Sequence, residues 1–229
     1  MSGIAQRLKA IQSRMAEACS VSGRQADEVS LLAVSKTFPA AAVLEAVEAG
    51  QLDFGESRQQ EAAEKVSELP DDIRWHFIGK LQRNKVRKVL EDFSTLHSID
   101  SLRLAEHTNR IAGELEIRPE VYLEVNLAGE GNKSGFPIDQ LHRDLAELLE
   151  LPNLRVCGLM AIPPAGDDPE SARPWFVKAR ELRDGLESES GRDLPGLSMG
   201  MSDDFEVAIE EGSTMIRVGS AIFGGRDYS

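Results

Sequence analysis

Short apolar runs alternate along this chain with stretches whose apolar residues recur at helical spacing. The strand-like runs fall at residues 30–35, 52–55, 74–79, 95–99, 121–126, 156–162, 196–201 and 215–219. These short runs read as strands. Between them lie amphipathic stripes. Leu44 and Val47 open one; Leu104, Thr108, Ile111 and Leu115 form another. Ile138, Leu141, Leu145 and Leu148 follow the same period, as do Trp175, Ala179, Leu182 and Leu186. Helix stops read at Glu48-Ala49-Gly50 and Glu210-Glu211-Gly212. Ser202 followed by Asp203 and Asp204 reads as an N-cap with acidic residues in the first turn.

Before the first strand, Ile4, Leu8, Ile11 and Met15 share one helical face. The pattern therefore predicts one extra N-terminal helix and about eight strand–helix units. Strict alternation implies parallel strands joined by right-handed crossovers. Eight such units close as a (β/α)8 TIM barrel, read here as a single domain over residues 1–229. An open doubly wound sheet is the competing architecture. It is weakened because no Gly-x-Gly-x-x-Gly follows the first strand.

Composition narrows the class without changing that picture. The 229 residues carry 39 acidic and 26 basic side chains, a formal charge of −13. This balance argues against a broad nucleic-acid footprint or an anionic membrane surface, yet leaves room for a local phosphate pocket. The N-terminus lacks the continuous apolar core of a signal peptide, and no run reaches bilayer-spanning length. The two cysteines, Cys19 and Cys157, show neither metal spacing nor a disulfide framework. The four histidines have no metal spacing either, so no metal is expected. A reducing cytoplasm is the expected setting. A monomer is expected because no exposed apolar helix asks for a partner.

The candidate chemistry sits at strand ends, which in a barrel form the active-site mouth. Lys36 ends the first strand. By position alone it reads as a solvated lysine; the alternative is a desolvated amine able to attack a carbonyl. The last strand ends in Gly219-Ser220, where backbone amides and a hydroxyl can meet an anion. The preceding loop adds Ser198 and the Met199 amide toward the same phosphate-type group, against a plain turn and cap as the bland reading. Arg217 lies inside an apolar strand and needs a partner, either a strand carboxylate such as Glu124 or Glu56, or a polar ligand atom. Glu56, His76, Glu124 and Asn126 are placed toward the mouth. Lys133 is a second lysine candidate in a turn-like loop.

Several motifs then occur in order: AVSK at 33–36, FGES at 54–57, WHFIG at 75–79, HSIDS at 97–101, KSG at 133–135, LSMGMSDD at 197–204 and the ending GSTMIRVGSAIFGGRDYS. Together they resemble the YggS/PROSC family, the pyridoxal phosphate homeostasis proteins, over nearly the whole chain. The resemblance implies a fold-type III pyridoxal 5′-phosphate (PLP) barrel similar to the N-terminal domain of alanine racemase. It implies that Lys36 holds PLP as a Schiff base, an internal aldimine. Arg217 then faces the pyridine nitrogen, while Ser198, Met199, Gly219 and Ser220 hold the phosphate. The family usually has Gly-Glu-Asn where this chain has Gly55-Glu56-Ser57.

The expected function is PLP binding in intracellular PLP homeostasis, without efficient catalysis and with no catalytic residue assigned. PLP-dependent apoenzymes are the implied partners. A PLP-dependent amino-acid racemase is the alternative, which requires an acid–base group on each face of the substrate. The chain's two tyrosines, Tyr122 and Tyr228, are poorly placed for the second face. A barrel binding some other phosphorylated metabolite, without a Schiff base, is the third reading.

Overall fold

In the computed structural model, residues 3–131 and 134–225 are described. A helix, α1 (Gly3–Val21), precedes β1 (Ser30–Val34), α2 (Ala40–Glu48), β2 (Asp53–Glu56), α3 (Gln59–Glu68), β3 (Arg74–Phe77), α4 (Val86–Asp92) and β4 (Thr95–Ile99). The second half runs α5 (Leu102–Glu114), β5 (Glu120–Val125), α6 (Ile138–Leu149), β6 (Arg155–Ala161), α7 (Arg173–Ser190), β7 (Gly196–Ser198), α8 (Phe205–Glu210), β8 (Met215–Val218) and α9 (Ser220–Phe223). The eight strands close in sequence order, and every pair is parallel. This is the predicted (β/α)8 barrel with its extra N-terminal helix.

The main apolar core lies between the strand wall and the helices, where Phe54, Phe136, Phe176 and Phe205 are fully buried. α1 buries the predicted Ile4, Leu8, Ile11 and Met15, and packs on α2, α8 and α9. The stripes of α5, α6 and α7 are also buried as read, with their outermost members half-covered. α2 is rotated from its predicted phase. It buries Val43 and Ala46, covers Val47 in part, and leaves Leu44 40% exposed. With alanine at 40, 41, 42 and 46, Leu44 is the largest apolar side chain of α2, and it misreports the buried face.

A smaller apolar cluster, Tyr122, Cys157 and Met160, is separate from the main core. β6 reaches it through a register shift against β5 at Val121/Tyr122. Gly158 permits this with φ +154°; a Cβ there would stand 1.8 Å from the Gly196 carbonyl oxygen. Only a residue without a side chain lets β6 and β7 approach so closely.

Candidate functional site

A cavity of about 260 Å³ opens past the C-terminal ends of the strands. Lys36 enters it after β1, Ile78 after β3, Ile162 after β6, Ser202 after β7, and Gly219 and Ser220 after β8. Arg217 and Met160 reach it from within β8 and β6. Val34 and Phe38 add apolar wall, and Phe38 stacks on Phe223 with ring centres 5.1 Å apart.

Lys36 is half-buried, and the turn that presents it is unusual. The Phe38 amide donates to the Ser35 carbonyl at 3.0 Å, closing a turn around Lys36 and Thr37. Thr37 takes φ +73°, in the left-handed region where a β-branched residue is strained. The Ser35 carbonyl also accepts Lys65 Nζ at 2.9 Å. Lys65 pairs with Glu56 at 2.5 Å, and the Ser35 hydroxyl donates to the same carboxylate oxygen at 2.7 Å. Glu56 is fully buried, and its Oε2 has no hydrogen-bond partner among the described residues. Burial raises its pKa, opposed by Lys65 and Ser35. This ion pair braces the turn from the α3 side of the wall. Glu56 therefore does not face the mouth as expected: it serves the lysine on α3.

Arg217 is 6% exposed and bonds to neutral oxygens; neither Glu124 nor Glu56, the strand carboxylates considered for it beside a ligand atom, pairs with it among the described residues. Nη1 donates to the Ser198 carbonyl at 2.7 Å and the Ser198 hydroxyl at 2.9 Å; Nη2 donates to the Ala161 carbonyl at 3.1 Å. Among the described residues this leaves Nε–H and one Nη2 hydrogen for a ligand. Burial lowers its pKa to about 10, with Asp204 and Glu124 opposing the shift. The guanidinium is therefore cationic at neutral pH.

Of the residues read from sequence, Lys36, Arg217, Gly219 and Ser220 line one cavity. Ser198 and Met199 do not. Both are fully buried, and the Met199 amide donates to the Met215 carbonyl at 3.1 Å as part of the sheet. Ser198 Oγ is held by Arg217 and by His97 Nδ1 at 3.0 Å. Met201, Ser202 and Asp203 line the cavity from this loop, and Ser202 supplies its hydroxyl. It is not the helix cap that its sequence suggested, because α8 begins only at Phe205. Its hydroxyl instead lies 3.2 Å from Ser220 Oγ and accepts the Gly219 amide at 3.4 Å. The second Ser in Ser-Met-Gly-Met-Ser, set opposite Gly-Ser, was the signal available for it.

His76 lies inside the barrel, 4% exposed, and is not at the rim. Glu124 and Asn126 line an adjoining cavity with Lys80, and Glu124 accepts Ser134 Oγ at 2.7 Å. Burial raises the Glu124 pKa against that hydrogen bond. Tyr122 is stacked on His97, with ring centres 4.6 Å apart, and does not line the main cavity. Lys133 and Tyr228 lie outside the described residues. No group of acidic, histidine or cysteine side chains suited to a metal occurs among the described residues.

An amine, a cation with spare donors, paired hydroxyls beside backbone amides and apolar walls therefore share one cavity. The set suits a flat, partly apolar molecule that carries an anionic group and a carbonyl.

Comparison with known proteins places the whole chain in one family and one fold. The family model "Alanine racemase, N-terminal domain" matches residues 6–227. A pyridoxal phosphate homeostasis protein of Aquifex aeolicus is 44% identical, covering 97% of this chain and 98% of its own. The protein of that name in Pseudomonas aeruginosa is 46% identical over 100% and 98%. PipY of Synechococcus elongatus, solved with PLP bound, superposes with a TM-score of 0.86 at 41% identity, covering 96% of this chain and all of that one. An alanine racemase of Clostridium difficile shares the fold at TM-score 0.72 and 15% identity, matching 98% of this chain but 58% of its own.

Proposed function

The chain belongs to the family of pyridoxal phosphate homeostasis proteins, and from that premise we propose that it binds PLP at the barrel mouth, with Lys36 as its Schiff-base lysine. The observation that carries this reading is the convergence of Lys36, Arg217, Ser202, Gly219 and Ser220 on one cavity. When bound, PLP supplies an aldehyde, a phosphate and a pyridine ring able to withdraw electrons.

The residues divide that molecule between them. Lys36, half-buried on its braced turn, is the amine for the aldehyde. The hydroxyls of Ser202 and Ser220, with the first amides of α9, hold the phosphate. Val34, Phe38, Ile78 and Met160 enclose the ring and exclude water from its faces. Arg217 brings a fixed positive charge to the ring nitrogen. A cation there disfavours a proton on that nitrogen, which weakens electron withdrawal. Ser198 serves the site through Arg217 and makes no direct contact.

This arrangement favours holding the cofactor over using it. The protein is accordingly proposed to be a cytoplasmic, monomeric carrier in PLP homeostasis, passing PLP to PLP-dependent apoenzymes without catalysis of its own. Tyr122 supports that choice over a racemase, because it is buried against His97 and away from the cavity.

The test is spectroscopic. Adding PLP to the purified protein is expected to give a yellow species that borohydride bleaches, absent in Lys36→Ala. A protein that stays colourless would overturn the binding reading. Interconversion of alanine enantiomers at ordinary enzyme rates would replace the carrier with a racemase.

A further inference from the structure

A line of polar side chains crosses the barrel interior beneath the cavity. Arg217 Nη1 meets Ser198 Oγ at 2.9 Å, and Ser198 Oγ meets His97 Nδ1 at 3.0 Å. His97 Nε2 meets His76 Nδ1 at 3.1 Å, and His76 Nε2 meets Asp53 Oδ1 at 3.3 Å. The line runs from β8 through β7, β4 and β3 to β2. It ends where Arg74 clasps Asp53 with two bonds of 2.6 Å. Ser198, His97 and His76 are each 4% exposed or less.

Proton bookkeeping leaves this line one direction. Arginine donates and never accepts, so Arg217 gives a hydrogen to Ser198 Oγ. The serine proton then goes to the other atom that its oxygen touches, His97 Nδ1. That makes His97 the Nε2–H tautomer, which donates to His76 Nδ1. His76 in turn donates from Nε2 to the carboxylate of Asp53, which only accepts. Every donor finds an acceptor, with both rings neutral. Were His76 charged, His97 would turn to its Nδ1–H form, and the buried Ser198 proton would lose its acceptor. Burial, followed by the nearby His76 and Arg217, also holds the His97 pKa well below the usual histidine value.

We propose that His97 is a positioning residue for the cavity: through Ser198 it fixes the orientation in which Arg217 presents its remaining N–H groups to a ligand. The Ser198 hydroxyl can accept from Arg217 in a fixed direction only while its own proton is committed to His97. Tyr122, stacked on the face of the His97 ring at 17° between planes, holds that ring in place. Without His97 the hydroxyl rotor is released, and of the bonds Arg217 makes only those to the backbone carbonyls of Ser198 and Ala161 keep a fixed direction.

The inference rests on the PLP reading only in its affinity measurement, so the first two measurements are made on the protein without cofactor. Nitrogen-15 NMR at neutral pH is expected to show His97 and His76 both neutral and both protonated at Nε2. An Nδ1–H or charged signature for His97 would overturn the proposal, whether or not PLP binds. The Arg217 side chain is expected to give separate, slowly exchanging Nη signals. These should merge in His97→Phe, which keeps a ring on Tyr122 but removes both nitrogens. They should persist in His97→Gln, whose amide keeps one donor and one acceptor.

PLP affinity should fall about tenfold in His97→Phe, the scale of one disturbed hydrogen bond to a charged group, and recover in His97→Gln. Unchanged Arg217 signals and unchanged affinity in His97→Phe would overturn the proposal. Should that variant not fold, Ser198→Ala cuts the same line by one oxygen atom and must merge the same signals. Correct tautomers in a protein that ignores PLP would instead refute the PLP reading and leave the line standing.

Discussion

Replacing Lys65 by methionine keeps an apolar chain of similar length and removes the ammonium that pairs with Glu56 at 2.5 Å. The fully buried carboxyl is then left with the Ser35 hydroxyl. Keeping the charge without its partner costs about 3–5 kcal/mol. Taking up a proton at pH 7 costs about 1.4 kcal/mol for each pH unit above the free carboxyl value of about 4.3, or about 3.7 kcal/mol. The second route caps the loss. It also gives the loss a pH dependence. A carboxyl whose folded pKa lies above its unfolded one binds more protons when folded, so stability falls as pH rises between the two values. The variant's deficit should therefore shrink to about 1 kcal/mol at pH 5. For a chain of this length the corresponding drop in Tm is roughly 7–15 °C at pH 7 and roughly 2–4 °C at pH 5. Calorimetry of wild type and Lys65→Met at both pH values measures it. Equal losses at the two pH values, or a loss below about 1 kcal/mol at pH 7, would refute the reasoning that burial of Glu56 sets the cost.

Other positions carry equally specific expectations. Thr37→Gly should stabilise the fold by about 1 kcal/mol in urea unfolding, because φ +73° suits glycine and strains threonine. Ser202→Ala and Ser220→Ala should each weaken PLP binding by about tenfold at unchanged Tm, measured by fluorescence titration. Burial would raise the Asp53 pKa, but His76 and Arg74 outweigh it and hold the group at about 2. A depressed folded value contributes stability above the free aspartate pKa that is lost as pH falls toward 2, here about 1–2 kcal/mol because the pair is partly open to solvent. Asp53→Asn should flatten acid unfolding between roughly pH 4 and 2.

The barrel was legible because parallel strands buried on both faces leave unbroken apolar runs, and each run predicted here contains or overlaps an observed strand. Lys36 and the Gly219-Ser220 corner were legible for a related reason: barrel topology sends every strand end to one mouth. α3 was not. It buries Ala62 and Lys65, and a lysine on the core face defeats any search for an apolar stripe. Ser202 was misplaced because a serine before two aspartates has the same appearance as a helix cap, and its true partner lies 18 residues on. The line from Arg217 to Asp53 joins residues as far as 101 positions apart, which no local pattern reports. One trace of it was visible. His76 and His97 are polar residues within apolar strand runs, and such residues require internal partners.

The central claim is that Lys36 holds the cofactor. Borohydride reduction of the PLP-loaded protein followed by peptide mass mapping tests it most directly. The account predicts one pyridoxyl-phosphate adduct per chain, on the peptide containing Lys36. Modification of Lys80 or another lysine in its place, or no stable adduct at all, would contradict it.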